Sequence, residues 1–267
     1  MIKFQRKTPW EKEWENLKRQ EAKFLEKRET KKDSVLNRKL DAVVPEKLQE
    51  TLNAAFAKAF TLVFEKGTGV IEKTYNREKM EQDYRINRYT DEVRQNRKSL
   101  KAFSKKAGHS GQKNLLVSGV SGIGLGVLGI GIPDIPLFLG MVLKSIYEIA
   151  LSYGCRYDTE EERYFILLLI EGAVSYGEDM QRLNREADSY IEEKLLPAGY
   201  SQEKQIARAS AYLSKELLYM KFLQGIPVVG AVGGACDVVY MKRIQEYAGL
   251  KYKKRFLIER KTGKKKV

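Results

Sequence analysis

Asp134, Glu148 and Asp237 are carboxylates set among apolar neighbours, where an unpaired charge is costly. Asp134 and Glu148 are fourteen residues apart, which at 100° per residue puts them within about 40° of one helical face, although Pro136 interrupts the period. Such a pair could serve as acid and base in an enzyme, or form a polar site for a cation, a proton or a lipid headgroup. The plainer reading is structural. Asp134 caps the helix that follows it, and Glu148 pairs with Lys144 or another base.

Other reactive groups are sparse. His109 is the sole histidine and sits in a loop-like Lys-Ala-Gly-His-Ser-Gly context. Ser118 and Ser121 lie among glycines without a G-x-S-x-G elbow. Cys155 and Cys236 match no zinc or redox spacing and read as small buried hydrophobes, which points to a reducing cytoplasm. Residues 124–129 spell G-x-G-x-x-G, but no strand precedes them and no Walker lysine follows. The catalytic residues are therefore unassigned, and no metal and no cofactor is expected.

The glycines make better sense as packing residues. Residues 114–133 carry no charge and six glycines, each costing a helix roughly 1 kcal/mol against alanine. Gly122 and Gly126 have GxxxG spacing, with Gly119 beside them. Gly230 and Gly234 repeat that spacing in the segment 225–240. Side-chain-free surfaces let another backbone, or lipid, come close.

These features must be carried by helices. Thr8-Pro9-Trp10-Glu11 is a capping box with proline in the first turn. It opens a helix whose Trp10 and Trp14 stripe is flanked by Lys18 and Arg19, suited to a core or to a lipid interface. Pro45 starts a second helix that Gly67 ends, and the charged run 77–106, with its alternating acids and bases, reads as a solvated helix face. An apolar helix follows Pro136 and is closed by Gly154. Thr159 and Glu162 are spaced as a capping box for the very apolar segment 164–170. The pattern predicts an all-α protein: a basic amphipathic arm over 1–40, one multi-helix domain with glycine-rich central helices over 41–258, and a basic disordered tail over 259–267.

The formal net charge of +14 is unevenly spread, net +11 over 1–113, −5 over 114–249 and +8 over 250–267. Basic ends attract phosphate, whether in anionic lipid or in nucleic acid. Trp10, Trp14, Lys18, Arg19, Lys253, Lys254 and Arg255 are the candidate lipid-facing residues. No nucleic-acid reader motif accompanies them, which leaves nucleic acid the weaker partner. The N-terminus lacks an apolar h-region, so no secretory leader is expected.

The glycine-rich stretch leading to Asp134-Ile135-Pro136, the Ile146-Tyr147-Glu148-Ile149-Ala150 helix, and Tyr153-Gly154 before an acidic helix start resemble the EcsC family. So do the Pro45 helix with Gly67-Thr68-Gly69 and the segment Ile226-Pro227-Val228-Val229-Gly230-Ala231 with its basic aromatic tail. The resemblance covers about residues 40–258. It implies a mostly bacterial helical protein, encoded in the founding case beside an ABC transporter, with no established activity. Asp134, Glu148, Tyr153 and Gly154 match its signature positions and bring no catalytic role with them. The sequence thus suggests a cytoplasmic accessory protein held peripherally at the inner face of the cell membrane, with transporter subunits as partners. A nucleic-acid-associated protein and an enzyme using Asp134 and Glu148 are the alternatives.

Overall fold

Residues 164–170 have no polar side to offer water, so as a helix they require neighbours all round. In the computed structural model they have them. The structure describes residues 7–29, 46–108, 134–223 and 234–263, and the regular structure among these is helical. The elements are α1 (Pro9–Glu26), α2 (Glu46–Leu62), α3 (Thr68–Glu72), α4 (Arg77–Arg94), α5 (residues 97–108), α6 (Asp134–Ser152), α7 (Glu160–Val174), α8 (Gly177–Glu193), α9 (Gln202–Leu223) and α10 (Gly234–Gly263).

α7 is the hub. Every residue from 164 to 174 is buried, enclosed by α8, α9 and α10. α6 packs against α10, α2 and α4, and α9 lies along α2. By length and hydropathy residues Ile135–Ser152 could cross a bilayer, yet 72% of that window is buried inside the protein, which is how a core helix behaves. α1 packs along α10 and places Leu17 and Phe24 in the common core. The segment set apart by its sequence as an arm is therefore built into the domain.

Local chemistry explains most boundaries. Thr8 Oγ1 accepts from the Glu11 amide at 3.2 Å while Glu11 Oε2 accepts from the Thr8 amide at 2.7 Å, the reciprocal box predicted for α1. Thr159 caps α7 in the same way at 3.2 Å, but the Glu162 side chain does not return the bond and turns inward instead. Gly67 does not end α2. One π-helical turn (Val63–Gly67) carries the chain into α3. The run 77–106 is two helices, because Gln95 adopts φ +43° as a left-handed C-cap and Asn96 Oδ1 accepts from the Ser99 amide at 2.9 Å. Far from fraying at 259, α10 continues to Gly263. Arg260 pairs with buried Asp91, and Lys261 lies over the Trp10 ring.

Candidate functional site

The second half of α10 supplies the cations that the sequence offered to lipid, and the structure places most of them indoors. Helical spacing sends successive basic residues toward different neighbours. Lys251 is fully buried, with its ammonium 2.5 Å from both Glu21 of α1 and Asp188 of α8. Lys254 reaches the same two carboxylates, at 3.3 and 2.7 Å. Lys253 donates to Glu13 at 2.9 Å, and Arg97 of α5 donates to the other Glu13 oxygen at 2.7 Å. Burial pushes the Glu13 carboxyl up, but the hydrogen bonds from Lys253 and Arg97 outweigh it and hold the group below the usual carboxylate range. Arg255 pairs with Glu162 at 2.7 Å, and Tyr252 donates to the same carboxylate at 2.7 Å.

Lys253, Lys254 and Arg255 are thus corrected from lipid-facing residues to internal ties between α10 and its neighbours. A net charge counted along the chain does not see acids that arrive from α1, α7 and α8. Trp10 and Trp14 are half-buried and stacked, with centroids 5.2 Å apart, and the Trp10 indole N–H donates to the Leu257 carbonyl at 2.8 Å. They too serve the α1–α10 contact. Lys18 and Arg19 remain exposed.

A cleft of about 1310 Å³ opens between α1, α5 and α10, floored by the end of α6. Lys23 and Lys27 of α1 form one wall, and Lys98, Lys101 and Lys105 of α5 form another. Lys242 and Lys253 contribute from α10, and Arg97 lies at the start of α5. These eight cations face two carboxylates, Glu13 and Glu246, and Glu13 is already taken by Arg97 and Lys253. Among the described residues, Lys23, Lys27, Lys98, Lys101, Lys105 and Lys242 have no carboxylate partner. Ile149, Tyr153 and Leu250 make the floor apolar, and Tyr153 Oη lies 3.2 Å from Ser104 Oγ. Burial pushes the Tyr153 hydroxyl well above its ordinary range, so it keeps its proton at neutral pH. Walls of one charge sign concentrate the potential between them, and such a cleft suits an anion with some apolar body.

The four polar-site candidates separate. Tyr153 lines this cleft. Gly154 has φ +76°, and a Cβ there would lie 2.2 Å from the Tyr84 ring, so glycine is required on both counts. Glu148 is buried within α6 and engaged with its surroundings. Asp134 begins α6, and its side chain lies outside the described residues, as do Gly119, Gly122, Gly126 and Gly230. Gly234 opens α10. The predicted packing of the two glycine segments therefore lies outside the described residues as well.

Sequence reading passed over the α5 lysines because it treated 77–106 as one charge-alternating face. The signal was present: residues 97–108 hold five cations and no acid, whereas the acids belong to α4.

Two buried groups lie away from the cleft. Burial pushes the Cys155 thiol up to about 12, which leaves it inert. Glu171 on α7 is fully buried with Arg208 Nη2 2.7 Å away. Neither of its oxygens receives an aligned hydrogen bond. Burial pushes this carboxyl up to about 7 against the pull of Arg208. No group of three or more His, Cys, Asp or Glu side chains among the described residues is placed to hold a metal ion.

Residues 11–257 match the EcsC protein family, a span that takes in most of α1. The chain is also similar to "Uncharacterized protein YdbA" of Bacillus subtilis (strain 168), 27% identical over 128 residues, 48% of this chain and 47% of that protein. The chain thus aligns with about half the length of that relative. No solved structure matches.

Proposed function

The chain belongs to the EcsC protein family, and on that premise we propose that it is a non-catalytic accessory protein docking reversibly on the anionic cytoplasmic face of the cell membrane. The observation that carries this reading is the set of six lysines around one cleft that meet no carboxylate among the described residues. Lysine stems can lie along apolar surface while their ammoniums reach phosphate. Each well-placed lysine adds about 1 kcal/mol near an anionic surface, so several together offset the entropy lost on docking at a level that stays reversible. The partner proposed at that surface is an ABC transporter, the kind of assembly to which the resemblance to the EcsC family points.

Co-sedimentation with vesicles tests the docking. Neutral phosphatidylcholine vesicles leave the protein in the supernatant. Vesicles containing phosphatidylglycerol pellet it at 50 mM salt and release it progressively as salt rises and the Debye length shrinks. Equal pelleting with neutral vesicles, or binding indifferent to salt, contradicts the reading. A strong 260 nm absorbance in the purified protein would favour nucleic acid as the natural polyanion instead.

A further inference from the structure

We infer that the cleft between α1, α5 and α10 is a headgroup site that holds a phosphomonoester or diphosphate carried on an apolar body. The inference rests on the membrane-docking reading and narrows it from a charged surface to a chemical class of ligand.

Two walls define the site. Lys98, Lys101 and Lys105 follow one another at i, i+3 and i+7 on α5, while Leu100 and Phe103 bury the opposite face of that helix. Lys23 in the last turn of α1 and Lys27 at its C-cap are one turn apart, anchored by the buried Phe24 between them. Both helices are fixed by their apolar sides, so the scaffold holds like charges together, and no carboxylate among the described residues neutralises these lysines. Glu13 could have done so, but Arg97 and Lys253 occupy both of its oxygens. The concentrated charge is relieved most by a ligand of high charge density. A phosphomonoester carries about −1.5 to −2 at neutral pH and three acceptor oxygens, so lysines from both walls can reach it at once. A phosphodiester has one charge and two free oxygens and meets fewer of them. Ile149 and Leu250 close the floor and are nearly buried already, so the apolar surface open to a glycerol backbone or the start of an acyl chain is that of the lysine stems along both walls.

The test uses the full chain and vesicles in which phosphatidate and phosphatidylglycerol are matched for surface charge in a phosphatidylcholine background. Inorganic pyrophosphate is the soluble competitor. The expected result is roughly tenfold tighter binding to phosphatidate, the equivalent of one or two well-placed lysines. Pyrophosphate should displace the protein at concentrations where sulfate of equal ionic strength does not. K98Q/K101Q/K105Q, and separately K23Q/K27Q from the opposite wall, should abolish the preference. K73Q/K79Q/K204Q, which alters exposed lysines outside the cleft, should keep it. Equal binding to both charge-matched lipids, with equal losses in cleft and control variants, overturns the site while leaving general membrane docking intact. Conversely, failure to bind any anionic vesicle while the wild type, but not the cleft variants, still binds pyrophosphate upholds a phosphate site with a soluble ligand and overturns the membrane source. Displacement by a short oligonucleotide at lower phosphate concentration than pyrophosphate overturns the preference for monoesters.

Discussion

Two lysine-rich regions of this protein use the same side chain in opposite ways. On α10, Lys251, Lys253 and Lys254 sit inside the molecule and meet Glu13, Glu21 and Asp188 at hydrogen-bond distance. Around the cleft, lysines of α1 and α5 are exposed and meet no carboxylate among the described residues. The difference does not lie in local composition, since both stretches are dense in lysine. It lies in which acids the fold delivers. A charge that the scaffold has already neutralised holds helices together, and only the residue left over is available to a partner. Net charge measures neither quantity.

The contrast breaks most visibly at Lys251. Replacing it with methionine leaves Glu21 and Asp188 sharing only Lys254. Loss of a buried ion-pair partner costs about 3–5 kcal/mol, which urea denaturation should register. A loss under 1 kcal/mol would mean that the α10 cations are not structural ties. Gly154→Ala comes next, because it forces a left-handed alanine against the Tyr84 ring. Backbone strain and overpacking together predict a loss of about 2–4 kcal/mol beneath a cleft whose lysines are untouched.

Glu171 sharpens the comparison from the acidic side, since its cation is near but poorly aligned. Its folded carboxyl titrates near 7 against an ordinary 4.5, so the folded state holds the proton more tightly than the unfolded state. That stabilisation is complete below about pH 4.5 and is lost as pH rises through about 7, a change on the order of 3 kcal/mol. Glu171→Gln mimics the protonated form. Compared at pH 5, 6, 7 and 8, the variant should gain on the wild type as pH rises. A constant difference between the two would place the Glu171 titration elsewhere. The smallest effect belongs to Glu246, the exposed acid on the cleft. Glu246→Gln should tighten binding to anionic vesicles by up to about fivefold, the worth of one nearby charge, with stability changed by less than about 0.5 kcal/mol.

Much of the fold was legible because its signals are local. The Thr8 and Thr159 caps, the apolar segment 164–170 and the stop at Gly154 each follow from a few adjacent residues. The cation–acid ties were not legible. Lys253 meets Glu13 across 240 residues and Lys251 meets Glu21 across 230, and no spacing announces such pairs. Glu162 illustrates the limit: its position three residues after Thr159 suggested a cap, but a tyrosine and an arginine from α10 compete for the same carboxylate and win. The cleft lies between these cases. The acid-free stretch 97–108 could be read directly, whereas its approach to Lys23 and Lys27 needs the packing of α1 on α10.

The central claim is that docking belongs to the cleft lysines that meet no carboxylate among the described residues, and not to the basic character of the chain as a whole. Its most direct test is co-sedimentation of K98Q/K101Q/K105Q and K73Q/K79Q/K204Q, equal in net charge, with phosphatidate-containing vesicles at 100 mM salt. The account predicts that the cleft variant stays in the supernatant while the control variant pellets like the wild type. Indistinguishable pelleting of the two variants would contradict it.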